Sequence, residues 1–290
     1  MRNIKISILK FVRKIPFLYH FTILVYRIII FPKILAYRID FNKKKQTAFR
    51  EYETNRGLLK INYGGYDLKF KTFSAKNYWH LTIGSQGENL FFNKLFKKIK
   101  KNMIIYDIGG HVGMYTLPFA KLVGNNGKVY VFEPESIGLN SINQNLAINE
   151  IKNVKSFPFA ISDKTSKSNF YVRPDKDTHS LFENSPAPSK TGKQNILNIQ
   201  TYTIDDLIKK GFEIPDFIKI DTEGAELKIL DGIKLNYEKL KYIFIEIHPT
   251  ALALENIKNP EEVLEKKLTD LGFGNFEYFD KTHLLANRVV

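Results

Sequence analysis

Cysteine is absent from this 290-residue chain. There can be no disulfide framework, no thiolate metal site and no thiol nucleophile. Several phosphate and nucleophile signatures are missing too: neither G-x-G-x-x-G nor a P-loop lysine occurs, and no G-x-S-x-G elbow marks a hydrolase. Long apolar runs are lacking in the N-terminal arm. The longest uncharged stretch there, residues 15–26, has 12 residues and contains Pro16 and His20; a membrane-spanning helix needs about 18 or more. No small-residue cleavage site follows it, so a secretory signal fits poorly. Apolar content as such is ample. A hydrophobic share of 43% supports a full core, and the length allows one large domain or a domain with an appendage.

The net charge is +14 and is unevenly placed. Residues 1–60 carry 14 Lys and Arg against 3 Asp and Glu, a net +11, whereas the remaining 230 residues carry 30 against 27. Basic residues interleaved with aromatics suit either nucleic acid or an anionic membrane surface. Phe11, Ile15, Phe17, Leu18, Phe21, Ile23, Leu24, Val25, Ile28, Ile29, Ile30 and Phe31 make this arm too apolar to track phosphates, so no nucleic-acid partner is expected. Two readings of the arm stand. It is an interfacial helix, basic on one side and apolar on the other, or a helical appendage packed on protein. The first places the chain in the cytoplasm, peripheral to the inner face of the membrane.

Three regions follow from pattern: a basic, apolar arm over residues 1–45, a small lead-in subdomain over 46–101, and a larger domain over 102–290. Asn62-Tyr63-Gly64-Gly65-Tyr66 reads as a hairpin turn, and residues 88–101 read as a helix with apolar Leu90, Phe91, Leu95, Phe96 and Ile99. From residue 102 strands and helices alternate, which predicts a mostly parallel sheet with helices on both faces. Strands are expected at 103–107, 128–132, 154–159, 168–172, 196–200, 216–220, 242–247, 275–280 and 283–289. Helices are expected at 113–122, 136–148, 204–210, 224–231 and 260–271. Residues 173–195 hold three prolines and His179 and read as a lid or substrate loop.

Two strand ends carry the chemistry. In Ile218-Lys219-Ile220-Asp221-Thr222-Glu223-Gly224-Ala225-Glu226 a strand stops on an acid and turns through glycine into a helix. Asp221 and Glu223 are thereby placed at the carboxyl edge of the sheet, where α/β proteins bind ligands. About 110 residues earlier, Tyr106-Asp107-Ile108-Gly109-Gly110-His111-Val112-Gly113-Met114-Tyr115 repeats the grammar, with glycines that let backbone approach a ligand. Glu133, in Glu133-Pro134, ends the next strand, 26 residues after Asp107; a carboxylate there accepts both hydroxyls of an adenosine ribose. Asp107, two residues ahead of the first glycine, suits a cationic amino group better than a pyrophosphate. S-adenosylmethionine has such an ammonium beside a sulfonium, so the spacing points to methyl rather than hydride transfer.

These blocks together resemble an FkbM-type methyltransferase. The matching stretches are Tyr106-Asp107-Ile108-Gly109, Gly113-Met114-Tyr115, Phe132-Glu133-Pro134, Ala160-Ile161-Ser162-Asp163, Thr203-Ile204-Asp205-Asp206-Leu207, the run from Phe217 to Glu226, and Ile245-Glu246-Ile247-His248. The resemblance spans roughly residues 103–250. It implies an α/β, Rossmann-like fold with a mostly parallel seven-stranded sheet, S-adenosyl-L-methionine as cofactor, and O-methylation of a sugar, glycan or lipid-linked saccharide. By the same resemblance Asp107, Gly109, Gly110, His111, Gly113, Tyr115, Glu133, Pro134, Ser162 and Asp163 are expected at the cofactor. The chain departs from the family where Gly110-His111 replaces the usual Ala-Asn.

Oxygen methylation needs the hydroxyl proton removed as the oxygen attacks. Asp221, Glu223 and His248 are the candidate catalytic groups; Glu226, in the first helical turn, is expected only to favour the helix dipole. Asp221, Glu223 and His248 are also acceptable ligands for Mg²⁺ or Mn²⁺. No H-x-x-E or E-x-x-H pairing accompanies them and the resemblance requires no metal, so none is expected. Two other function classes compete. One is a nucleotide-dependent oxidoreductase or epimerase, disfavoured by the missing G-x-G-x-x-G. The other is a membrane-surface adaptor with a vestigial methyltransferase domain, disfavoured by the presence of Asp107, Glu133 and Asp221.

Overall fold

The computed structural model describes residues 31–289 apart from 64, 83–88, 173–180, 182–194 and 236. The chain divides into two compact units, Met1–Glu51 and Tyr52–Val290. In the first, the described residues belong to helix α1 (Phe31–Thr54), which exposes Leu35 and Ile39 and pairs Lys44 with Asp40 one turn apart. The densest apolar part of the arm, residues 11–30, and His179 of the insert lie outside the described residues. No helix among the described residues is long and apolar enough to cross a membrane.

The second unit begins with the hairpin β1 (Leu58–Tyr63) and β2 (Tyr66–Lys71), whose register closes on Tyr63 opposite Tyr66, as the Gly64-Gly65 pair predicts. Helices α2 (Ala75–Thr82) and α3 (Asn89–Phe96) follow. Helix α3 is shorter than expected, so Ile99 lies beyond it, although still buried.

After these come β3 (Ile104–Ile108), α4 (Thr116–Val123), β4 (Lys128–Phe132), α5 (Ser136–Ile148), β5 (Val154–Phe157), β6 (Ala160–Ile161), β7 (Ser166–Val172) and β8 (Asn195–Tyr202). The chain continues through α6 (Ile204–Lys209), β9 (Phe217–Ile220), α7 (Glu226–Asp231), β10 (Tyr242–Glu246), α8 (Pro249–Leu254), α9 (Pro260–Asp270), β11 (Phe273–Tyr278) and β12 (His283–Arg288). Seven strands form the main sheet in the order β11-β12-β10-β9-β3-β4-β5. All its pairs are parallel except those made by β12.

Every residue of β3 and β9 is buried, the near-continuous apolar pattern of strands covered on both faces. Side chains alternate across the pleat. Ile104, Tyr106 and Ile108 join Ile218 and Ile220 in a core shared with Leu207 of α6, Leu230 of α7 and Leu264 of α9. On the other face, aromatic contacts link Phe119 of α4 to Phe217, and Tyr115 to Phe92 of α3 and to Phe244. Strand β2, an edge, is tied down by side chains of the α5 region: the Lys71 and Lys69 amides donate to Asn145 and Asn149 at 2.6 and 2.8 Å.

Several boundaries differ from expectation for local reasons. The strand expected at 154–159 stops at Phe157, because Pro158 has no amide hydrogen to continue the ladder. Strands at 166–172 and 195–202 exist but join β6 in a separate three-stranded sheet of order β6-β8-β7. Helix α4 begins at Thr116 rather than 113, since Gly109, His111 and Gly113 occupy left-handed backbone (φ 81, 50 and 87°). Helix α8 was not expected; Pro249 at its first turn starts it.

Candidate active site at the strand switch

Strand β3 has β4 on one side and β9 on the other, so the chain order reverses at their carboxyl ends. That crevice is the ligand position of open α/β sheets. Two cavities open there. The first is lined by Ile108, Gly109, His111, Phe132, Glu133, Pro134, Glu135, Ala160, Ile161, Phe170, Leu181, Asp221, Thr222, Glu223 and Ala225. The second is lined by Lys76, Asn77, His80, Leu81, Gly109, Gly110, His111, Val112, Met114, Tyr115, Lys219, Asp221, Glu223, Glu246 and His248. Gly109, His111, Asp221 and Glu223 stand on both walls.

The glycines allow this proximity. A methyl group on Gly109 would lie 1.8 Å from the Asp221 carbonyl oxygen, and one on Gly110 would lie 2.2 Å from Val131 Cγ2. The β3 turn therefore rests directly against the end of β9. Glu133 is buried, and its carboxylate accepts from the His111 amide at 2.8 Å and the Glu135 amide at 2.9 Å. Burial nevertheless pushes its pKa up to about 7, against those two hydrogen bonds. Apolar walls with an oriented acid at a strand end fit a nucleoside: apolar surface for a base, acceptors for ribose hydroxyls. His111, in place of the usual amide residue, lines both cavities, with Nε2 3.4 Å from Asn77 Nδ2.

Asp107 has a different partner from the one expected. It is fully buried, accepts from Thr116 Oγ1, and pairs with Lys219 Nζ at 3.2 Å. The cation it faces is the ammonium of the neighbouring strand, and Asp107 lines neither cavity. Lys219 Nζ also donates to the Gly109 carbonyl at 2.7 Å, pairs with Asp221 at 3.3 Å and lies 5.1 Å from the Tyr115 ring centre. Burial opposes its charge, but Asp107 and then Asp221 raise its pKa above the usual lysine value. Sequence reasoning left Lys219 without a role. Strand alternation was the available signal, since it puts Lys219 and Asp221 on one face.

Around Asp221 the structure gathers acids from three elements. His248 Nε2 is 3.8 Å from Asp221, 3.8 Å from Glu223 and 3.9 Å from Glu246, while its Nδ1 is 2.7 Å from Glu226 Oε1. Glu226 is therefore more than a helix-dipole residue: it also accepts from the Gly224 amide at 3.0 Å and is entirely buried. Burial alone would lower the His248 pKa; the Glu226 hydrogen bond, then Glu223 and Asp221, carry it up to about 10. Asp221 is held below the usual carboxylate range: burial would raise it, but Lys219 and His248 pull it down. Glu223, in left-handed backbone (φ 54°), is raised by burial to about 7, with His248 opposing.

Of the other expected cofactor residues, Gly110 and Tyr115 line the second cavity and Pro134 the first. Gly113 lines neither; its lack of a side chain spares a clash at 2.6 Å with Leu117. Ser162 and Asp163 also line neither, and Ala160 and Ile161 just before them form the wall. Ser162 is buried and donates to Asp163 at 3.0 Å. Phe170, Leu181, Lys76, Asn77 and His80 are wall residues outside the motifs, and Thr222 and Glu246 are wall residues within motifs that gave them no role.

A doubly covered sheet with a glycine turn and a buried acid at its switch point defines a class I methyltransferase-type fold. The family model for the FkbM methyltransferase domain matches residues 107–274, more than half of the chain, which therefore belongs to the FkbM family of S-adenosylmethionine-dependent methyltransferases. The chain is 22% identical over 188 residues to the hexuronic acid methyltransferase AglP of Haloferax volcanii, covering 63% of this chain and 72% of that protein. Among solved structures it is similar to a 16S rRNA methyltransferase of T. thermophilus in complex with AdoMet and guanosine: TM-score 0.43, 14% identity, 80% of this chain but 50% of that one. It is also similar to a SAM-dependent O-methyltransferase of Thermotoga maritima, with TM-score 0.41, 12% identity, and 80% and 78% of the two chains covered.

Proposed function

We propose that this methyltransferase transfers the methyl group to a hydroxyl oxygen of a sugar, glycan or lipid-linked saccharide. The observation that carries the reading is the pair of cavities meeting at Asp221 and Glu223. One has apolar walls from Ile108, Phe132, Ile161 and Phe170 beside the oriented acid Glu133. The other is walled by Lys76, Asn77, His80, Glu246 and His248, donors and acceptors in the density a polyol uses. Similarity to a hexuronic acid methyltransferase supports a saccharide acceptor. When bound, S-adenosylmethionine supplies an electrophilic methyl on a sulfonium.

The chain's own residues then divide the work. Glu133 binds the ribose hydroxyls, and the turn from Gly109 to Gly113 gives the donor room. Asp221, held ionised by Lys219, orients the acceptor hydroxyl through its remaining lone pairs. Glu223, raised by burial to about 7, stands beside it to receive the proton as the oxygen–hydrogen bond breaks and the oxygen–carbon bond forms. The arm over residues 1–45, with its net basicity, brings the enzyme to an anionic membrane surface and so to lipid-linked acceptors.

The test is thermal stabilisation by S-adenosylhomocysteine compared with NAD, followed by turnover on a panel of free and lipid-linked saccharides. Stabilisation by the first ligand and methylation of a saccharide hydroxyl are expected. Stabilisation by NAD alone would overturn the donor assignment, and turnover confined to non-saccharide acceptors would overturn the acceptor class.

A further inference from the structure

Glu246 changes how the acid cluster reads. Strands β9 and β10 run parallel with Ile220 opposite Ile245, so Glu246 falls beside Asp221 and His248 follows two residues later. Asp221, Glu246 and His248 each offer one ligand atom, all within 4.8 Å of one another. All three face the second cavity and keep some exposure: 27, 29 and 17%. The distances of His248 Nε2 from Asp221, Glu223 and Glu246, 3.8 to 3.9 Å, exceed hydrogen-bond length. They fall between the adjacent and opposite ligand separations, about 3 and 4 Å, around an octahedral ion bound at about 2.1 Å.

The surroundings are those of an oriented ligand set. A metal-binding histidine usually gives its other ring nitrogen to a carboxylate, which fixes the tautomer. Here Glu226 takes Nδ1 at 2.7 Å and leaves Nε2 to accept a cation. Glu246 has its own outer partner, His283 Nε2 at 3.6 Å, and His283 Nδ1 lies 2.9 Å from Asp280. A separate observation points the same way. Glu226 is entirely buried, and its Oε2 has no hydrogen-bond partner among the described residues. Four carboxylates (Asp221, Glu223, Glu226 and Glu246) thus crowd one imidazole, and the nearby Lys219 is shared with Asp107.

The geometry points to a divalent-cation site of the Mg²⁺/Mn²⁺ class, with Asp221, Glu246 and His248 as ligands and Glu226 as the residue that orients His248. Two hard oxygens and one imidazole suit such an ion. Three protein ligands leave about three of six positions open, facing the second cavity. Neighbouring hydroxyls of a saccharide acceptor would take two of them, which is the one part of this inference that rests on the proposed function.

Full-length protein freed of metal with a chelator is titrated with Mn²⁺ by equilibrium dialysis, reading the free ion by electron paramagnetic resonance. One saturable site per chain is expected, with Mg²⁺ displacing Mn²⁺ at higher concentration. Glu246→Gln should weaken Mn²⁺ binding by about tenfold or more, yet keep the thermal midpoint and S-adenosylhomocysteine affinity, because Glu246 does not line the donor cavity. Should that variant fail to fold, His248→Ala carries the Mn²⁺ and S-adenosylhomocysteine comparison, without the thermal one because it strips the buried Glu226 of its imidazole partner. The inference is overturned if no saturable uptake occurs up to ~1 mM Mn²⁺, or if the folded variants bind Mn²⁺ as the parent does. S-adenosylhomocysteine binding, measured on the same samples, reports on the methyl-donor reading independently of the Mn²⁺ result.

Discussion

The two cavities at the strand switch are built from different materials. The first is made of a glycine turn, a strand-end acid held by two amides, and apolar residues that reach it from as far along the chain as Ala160, Phe170 and Ala225. The second shares that glycine turn, from Gly109 to Tyr115, and sets against it polar and charged side chains from α2, β9, β10 and the turns after those strands. A wall of the first kind accepts few changes, because a single added methyl at Gly109 meets the Asp221 carbonyl. A wall of the second kind is adjustable residue by residue. That contrast suits an enzyme with one constant donor and a family-specific acceptor.

The comparison breaks most sharply at the residues shared by both halves. Asp221→Asn should lower turnover by roughly 10²–10⁴ with the fold intact; steady-state kinetics at the parent rate would remove Asp221 from the chemistry. Next, Lys219→Met leaves Asp107 and Asp221 facing each other without their cation. A loss of about 3–5 kcal/mol is expected, read from denaturant unfolding, and a loss below ~1 kcal/mol would show that the lysine is not the keystone of the switch.

Effects confined to the donor half should be smaller. Glu133→Ala should weaken S-adenosylhomocysteine binding by about 1.5–3 kcal/mol, and unchanged calorimetric affinity would remove Glu133 from the site. The same residue sets a pH dependence. Its pKa is raised by burial to about 7, so the accepting carboxylate form dominates above that pH and is lost as pH falls through it. Donor affinity should drop roughly tenfold from about pH 8 to about pH 6, and Glu133→Gln should flatten the profile. The smallest effect on the donor is expected from deleting residues 1–45, since among the described residues none that lines the first cavity precedes Ile108. Donor affinity should stay put while co-sedimentation with anionic vesicles at low salt disappears. Intact protein that ignores such vesicles would end the membrane proposal.

Part of the first cavity was legible because the glycine turn and Glu133 are close in sequence. Gly109 and Glu133 sit at strand ends that apolar runs announce, and the glycines are needed where backbone turns left-handed or approaches another strand. Ser162 and Asp163 show the limit of motif transfer: they sit beside the wall, while Ala160 and Ile161 form it. Asp107 shows another limit. Its spacing suggested a ligand's ammonium, but the adjacent strand already supplies one from Lys219, 112 residues away.

Most of the order of strands and helices from residue 102 on, the acids at strand ends and the family were legible in the sequence alone, because hydrophobic periodicity and short-range turn chemistry act over a few residues. Tertiary structure decided which charges meet. The Lys219 pairing, the Glu226 hold on His248 and the placement of Glu246 beside Asp221 depend on the register between β3, β9 and β10. Coulomb interactions depend on distance in space, whatever the separation along the chain.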